Sequence, residues 1–222
     1  NTFWNQSGLS ANTAVVLSVK ARDSGLVETS VAQTTAYTSQ NTPTGISKSS
    51  LATDSISLAA GGTFTNLTSA SSGLYFSNST NLSNSGWLQT NSWQNSSLAA
   101  NTSYTYTVKA RNGDSDETST ATASYYTAQN TPTAITSSST QTTSVTITAT
   151  GTFTNLTSAT SGLYFENVTA GTNSGWVQTN SWVSSSLTAN TQYSFRVKAR
   201  NGDGVETSAV TASIYTAQNT PS

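Results

Sequence analysis

The sequence contains no cysteine, no histidine and no methionine, and only 8% of its 222 residues are charged. Without cysteine there is neither a disulfide framework nor a thiolate metal site. Without histidine the usual general base, the usual zinc ligand and the usual switch near neutral pH disappear together. The net charge of −1 supplies no field to draw the chain onto nucleic acid or an anionic membrane, so neither is an expected partner. No apolar run approaches the roughly 18–20 residues of a membrane-crossing helix, so this segment is not expected to insert. With no initiator methionine and no signal peptide, the chain reads as a mature or excised segment. Ser, Thr, Asn and Gln take the place of charge, which makes up about 25% of ordinary domains. Solubility must therefore rest on neutral hydrogen-bonding side chains.

What is present is a repeat. Gln-Asn-Thr-Pro occurs at Gln40–Pro43, Gln129–Pro132 and Gln218–Pro221, a constant spacing of 89 residues. The same spacing relates Trp4, Trp93 and Trp182, then Arg22, Arg111 and Arg200, then Glu28, Glu117 and Glu206. A period this long predicts tandem independent domains and not a solenoid. The expected units are 43–131 and 132–222, with residues 1–42 matching only the second half of a unit.

Within a unit the apolar residues alternate, the pattern of strands half-buried against a second layer. Val145, Ile147 and Ala149 share one face, and Ile56, Leu58 and Ala60 repeat it. Short strands are predicted at Gly73–Phe76 and Gly162–Phe165, at the Gly-Trp pairs ending in Trp87 and Trp176, and around Trp93 and Trp182. The strongest strand places Tyr193, Phe195, Val197 and Ala199 inward, and Ser194, Arg196, Lys198 and Arg200 outward. Asn201-Gly202-Asp203-Gly204 then predicts a tight turn, because Asn and Gly tolerate positive φ. No segment carries a helical period. The expectation is all-β, about seven strands per unit, arranged as a sandwich.

Leu-x-x-Asn-Thr-x-Tyr followed by an alternating strand and Val-x-Ala-Arg-Asn, at 98–112 and 187–201, resembles the E–F corner and F strand of fibronectin type III domains. The resemblance implies tandem immunoglobulin-like β-sandwiches with a corner formed by Leu98 and Tyr104, and again by Leu187 and Tyr193. The tyrosine hydroxyl is expected to bond back to upstream backbone. The first copy has Val15 at the tyrosine position. The strand-B tryptophan usual in that family is missing near Leu58 and Ile147, and Phe64, Phe153 and the Gly-Trp strand are expected to fill the space. Residues 1–42 should supply only strands E, F and G, exposing Val15, Leu17 and Val19. The other units already own complete strand sets, so simple donation between identical chains fails. The missing half is expected upstream in a longer protein.

Several features invite a chemical role. The recurring acids lie in or just after the F–G turn, and surface turn positions explain them better than paired catalytic carboxylates. Asn112-Gly-Asp114-Ser-Asp116-Glu117 alternates oxygen ligands like a calcium loop, yet the third unit keeps only Asp203 and Glu206, so a solvated turn is preferred. No cofactor and no metal are expected. Trp87 and Trp93, like Trp176 and Trp182, lie six residues apart in a Ser/Asn/Gln-rich frame. They suit either sugar-stacking platforms or core residues, and their regular recurrence favours core. Asn-x-Ser/Thr sequons stand at Asn5, Asn66, Asn78, Asn81, Asn95, Asn101, Asn155 and Asn167, candidates for N-glycosylation. The functional expectation is a non-enzymatic spacer and self-assembly segment of an extracellular or cell-surface layer, filament or adhesin stalk. Its partners would be neighbouring repeats or copies of itself. The alternative is a carbohydrate-binding accessory module using exposed tryptophans.

Overall fold

A computed structural model describes residues 4–221, and every regular element among them is a β-strand. The first repeat contributes β1 (Ala14–Val19) and β2 (Ala32–Tyr37). The second contributes β3 (Gly45–Leu51), β4 (Ile56–Gly61), β5 (Gly73–Asn78), β6 (Asn84–Leu88), β7 (Ser92–Asn95), β8 (Ser103–Arg111) and β9 (Ala121–Tyr126). The third contributes β10 (Ala134–Thr140), β11 (Ser144–Thr150), β12 (Gly162–Asn167), β13 (Thr172–Val177), β14 (Ser181–Ser185), β15 (Gln192–Arg200) and β16 (Val210–Tyr215).

The chain clusters into two compact units. The first takes the residues up to Ser50, with Ser57–Asn95 and Tyr104–Ser124. The second takes Leu51–Ile56, Ser96–Ser103 and the chain from Tyr125 onward.

In the second unit a three-stranded sheet, β10-β11-β14, faces a four-stranded sheet, β13-β12-β15-β16. Residues from both inner faces share one core: Ile135, Val145, Ile147 and Ala149 on one side, Leu163, Phe165, Phe195 and Val197 on the other. Strand β15 shows why the sequence alternates. Tyr193, Phe195, Val197 and Ala199 are buried, while the residues between them face outward. Burying each large apolar side chain contributes about 1.5–3 kcal/mol, which holds the strand in one register, since a one-residue slip would reverse every side chain.

The core also resolves the missing strand-B tryptophan. Trp182 lies directly opposite Ile147 on the neighbouring strand and packs against the core, joined by Phe153. The expected contribution of the Gly-Trp strand is corrected here: Val177 turns to the core, and Trp176 pairs with Tyr164 on the outer face.

The first unit repeats this arrangement with sheets β3-β4-β7 and β6-β5-β8-β9. Trp93 packs with its ring centroid 6.3 Å from Phe76 and 6.2 Å from Tyr106. The half repeat forms a separate two-stranded sheet, β1-β2. Residues 4–13 form no strand, so the anticipated E strand is not formed there. Without its neighbour, β1 leaves Val16, Leu17 and Val19 exposed at 61%, 38% and 68%, and only Val15 is half-buried.

Candidate functional site

The four tryptophans of the two complete repeats divide into two classes. Trp93 and Trp182 close the cores. Trp87 and Trp176 lie half-buried on the outer face of the four-stranded sheets, each in a cross-strand row that pairs it with Tyr75 or Tyr164 and continues to Lys109 or Lys198. Trp176 stands 5.4 Å from the Tyr164 ring, and the Arg200 guanidinium lies 4.2 Å from the indole centroid. In the first unit the distances are 5.3 Å to Tyr75 and 4.1 Å to Arg111. A guanidinium at that distance is a cation–π contact, so each indole already carries a cation on its ring. The outward basic row is likewise engaged: Arg196 pairs with Glu166, Lys198 with Glu206 and Lys109 with Glu117.

The sequons divide by burial. Asn5 and Asn81 are exposed. Asn78, Asn95, Asn101 and Asn167 are buried, and their amide nitrogens are engaged: Asn78 with Asn95 at 2.8 Å, Asn95 with Ser83 at 3.0 Å and Asn167 with Ser184 at 3.0 Å. Their burial leaves no room for a glycan on these amides in the folded chain. Asn66 and Asn155 are exposed residues whose amides donate to the Asn12 and Asn101 carbonyls.

Asn101 is the centre of a densely bonded polar cluster. It sits in the left-handed region, with φ of 46°, a conformation that asparagine tolerates better than most residues. Its side chain is fully buried, and the amide nitrogen donates to the Thr154 carbonyl (2.9 Å), the Asn155 carbonyl (3.0 Å) and Ser161 Oγ (3.0 Å). Its oxygen accepts from the Gly202 N–H at 2.9 Å and from Ser161 at 3.1 Å. Asn155 returns a bond to the Asn101 carbonyl at 3.2 Å.

Around this asparagine, Gln129 donates to the Thr154 carbonyl at 2.7 Å and Asn130 to the Thr152 carbonyl at 2.8 Å. Asn201 donates to the Thr127 carbonyl at 3.0 Å, and Asp203 accepts from the Tyr126 N–H at 3.2 Å. Tyr126 lies flat enough on Gly202 that a Cβ there would sit 2.5 Å from the ring, so only glycine allows the approach.

The first unit contains the same joint 89 residues earlier. Asn12 is fully buried and donates to the carbonyls of Thr65 (3.0 Å) and Asn66 (2.9 Å) and to Ser72 Oγ (2.9 Å), and Gly113 N–H donates to its oxygen at 3.0 Å. A Cβ on Gly113 would meet the Tyr37 ring at 2.6 Å.

Among solved structures, the chain is similar to a segment of two fibronectin type III domains from chicken tenascin. The match has a TM-score of 0.52 and 16% identity, and it covers 79% of this chain and all of that one. It is also aligned with the FN1–FN3 domains of chicken CNTN1 at a TM-score of 0.35 and 13% identity, covering 90% of this chain and 78% of that one. No protein-family model and no curated protein sequence matches the chain. The fold is that of tandem fibronectin type III domains.

In fibronectin type III terms, β10, β11 and β14 are strands A, B and E, and β13, β12, β15 and β16 are C′, C, F and G. The tyrosine corner forms as expected, with the Thr188 N–H donating to the Tyr193 hydroxyl at 2.9 Å beside buried Leu187. Tyr104 and Leu98 are buried at the matching positions. The joint therefore lies between the E–F corner with its G-strand end and the B–C loop with the F–G turn of the following repeat.

Sequence reasoning placed the corner and the turn but missed the joint, and Asn101 figured only as one of eight candidate sequons. The available signal was the 89-residue recurrence of Asn12 and Asn101 together with Asn-Gly-Asp and Gln-Asn-Thr-Pro. The calcium-like alternation in the F–G turn also acquires a use. Asn112 accepts from the Asp114 N–H (3.1 Å) and the Asp116 N–H (2.8 Å), and Asp114 accepts from the Tyr37 N–H (2.7 Å).

Proposed function

We propose that this chain is a non-enzymatic structural repeat segment of an extracellular or cell-surface protein, serving as spacer and self-assembly module in a surface layer, filament or adhesin stalk. The observation that carries the proposal is the pair of joints at Asn12 and Asn101, in which a buried asparagine uses every donor and acceptor of its amide to hold the following loops. Buried polar groups bonded this completely fix a geometry, because any shift strands a desolvated donor or acceptor. A spacer needs that property. The carboxylates support the same view: Glu117, Glu166 and Glu206 are spent on surface ion pairs, and Asp114 and Asp203 on backbone N–H groups. The extracellular setting is supported by the fold shared with the tenascin segment. A charge-poor, Ser/Thr/Asn-rich surface suits packing against further copies with little repulsion. For the carbohydrate alternative, the indoles of Trp87 and Trp176 already carry Arg111 and Arg200. A glycan pull-down retained by the native chain and lost on Trp176→Ala would reverse this preference.

The decisive test is mechanical. Pulling the full chain by its ends should give a discrete force peak for each complete 89-residue repeat, with contour-length gains on the order of 30 nm. Smooth extension without force peaks would overturn the spacer role.

A further inference from the structure

The E–F corner motif occurs three times, and two of the three asparagines are seated. Asn12 and Asn101 are fully buried, and Gln40 and Gln129 beside them are 4% and 2% exposed. At the third position Asn190, Gln218 and Asn219 are all exposed, and Tyr215, the counterpart of Tyr37 and Tyr126, is 57% exposed.

The third corner is nevertheless built like the others. Its φ is 48° against 46° at Asn101. The Asn190 N–H donates to the Ala217 carbonyl at 3.1 Å, where Asn101 donates to Ala128 at 3.0 Å. Thr191 N–H donates to Thr216 Oγ1 at 3.0 Å, and Thr216 Oγ1 donates to the Thr188 carbonyl at 2.6 Å, matching the bonds around Thr102 and Thr127. The corner thus has the geometry of the two filled joints, so docking would pay little ordering cost.

We propose that the surface formed by Asn190, Tyr215, Gln218 and Asn219 is a docking site for a further fibronectin type III repeat of this same sequence pattern, tethered through Gln218–Pro221. The occupant follows from the two filled sites: the partner must offer two consecutive carbonyls, a serine hydroxyl and a glycine N–H, as Thr154, Asn155, Ser161 and Gly202 do for Asn101. Both such sets in this chain are already taken by Asn12 and Asn101, so an intact second copy has none to offer. The proposal rests on the structural-repeat reading and specifies its partner.

The test uses the whole chain, extended after Pro221 by a second copy of residues 133–222 and segmentally isotope-labelled, in the added copy in one sample and in the resident chain in another. Hydrogen exchange is read at the added copy's Gly202 amide, with and without Asn190→Ala, and Asn101→Ala serves as reference for the resident Gly202. Docking predicts that Asn190→Ala speeds exchange of the added amide at least about tenfold. An added Gly202 amide that exchanges equally fast with and without Asn190→Ala would overturn the proposal. If Asn101→Ala also left the resident amide protected, the joint itself, and with it the structural reading, would fail. Concentration-dependent dimers of the 222-residue chain that Asn190→Ala abolishes would overturn the tethered repeat in favour of a second copy.

Discussion

A single asparagine at each joint does what no other residue can. Replacing Asn101 by alanine strands the Gly202 N–H and the Asn155 carbonyl and leaves the Thr154 carbonyl only its bond from Gln129, and should cost about 2–4 kcal/mol by chemical denaturation. Asn101→Asp should be worse at neutral pH, because a buried carboxylate would face two carbonyl oxygens, and should recover stability as the pH falls and the acid is protonated. The corner bond is smaller in scale: Tyr193→Phe leaves the Thr188 N–H without its partner and should cost about 1–2 kcal/mol. Tyr106 offers a pH signature. Burial, with Tyr104 nearby, holds its hydroxyl well above the ordinary phenol range. The unfolded phenol ionises near pH 10 while the folded one stays neutral, so stability is full below that pH and falls as the pH rises through and above it. Tyr106→Phe, which copies Phe195 of the third repeat, should reduce that alkaline loss.

At the scale of elements, the F–G turn and the G-strand end are matched by steric necessity. Gly202→Ala places a methyl group inside the Tyr126 ring's contact distance and should destabilise the second unit. Tyr126→Ser alone removes the ring's packing, but in the double variant it should recover part of the Gly202→Ala loss. A double-mutant cycle of thermal midpoints measures the coupling, and additivity would deny the contact. The outer rows of Trp176, Tyr164, Lys198 and Arg200 have a different logic: the aromatic rings face the cationic heads of Lys198 and Arg200 in cation–π contacts.

For the whole molecule, low charge has a measurable consequence. The ion pairs are surface pairs, worth little and screened by salt. Stability resting on apolar cores and neutral hydrogen bonds should shift little between about 0.1 and 1 M sodium chloride. A large salt dependence would point to an electrostatic framework these residues do not provide.

The sequence by itself determined the fold class, the period and the inward face of the strongest strands. Those depend on local alternation and on turn residues, such as Tyr193, Phe195, Val197 and Ala199 followed by Asn201-Gly202, that act within a few positions of one another. It also marked Leu187 and Tyr193 as a corner, because their spacing is itself local. Only the tertiary structure decided which asparagines are buried, which tryptophans close a core and which carry an arginine. Asn101 meets Ser161 and Gly202 across 60 and 101 residues, and Trp182 meets Ile147 across a sheet. Burial and hydrogen-bond partnership at such separations come from the packing of layers, which a one-dimensional pattern of polar residues does not encode.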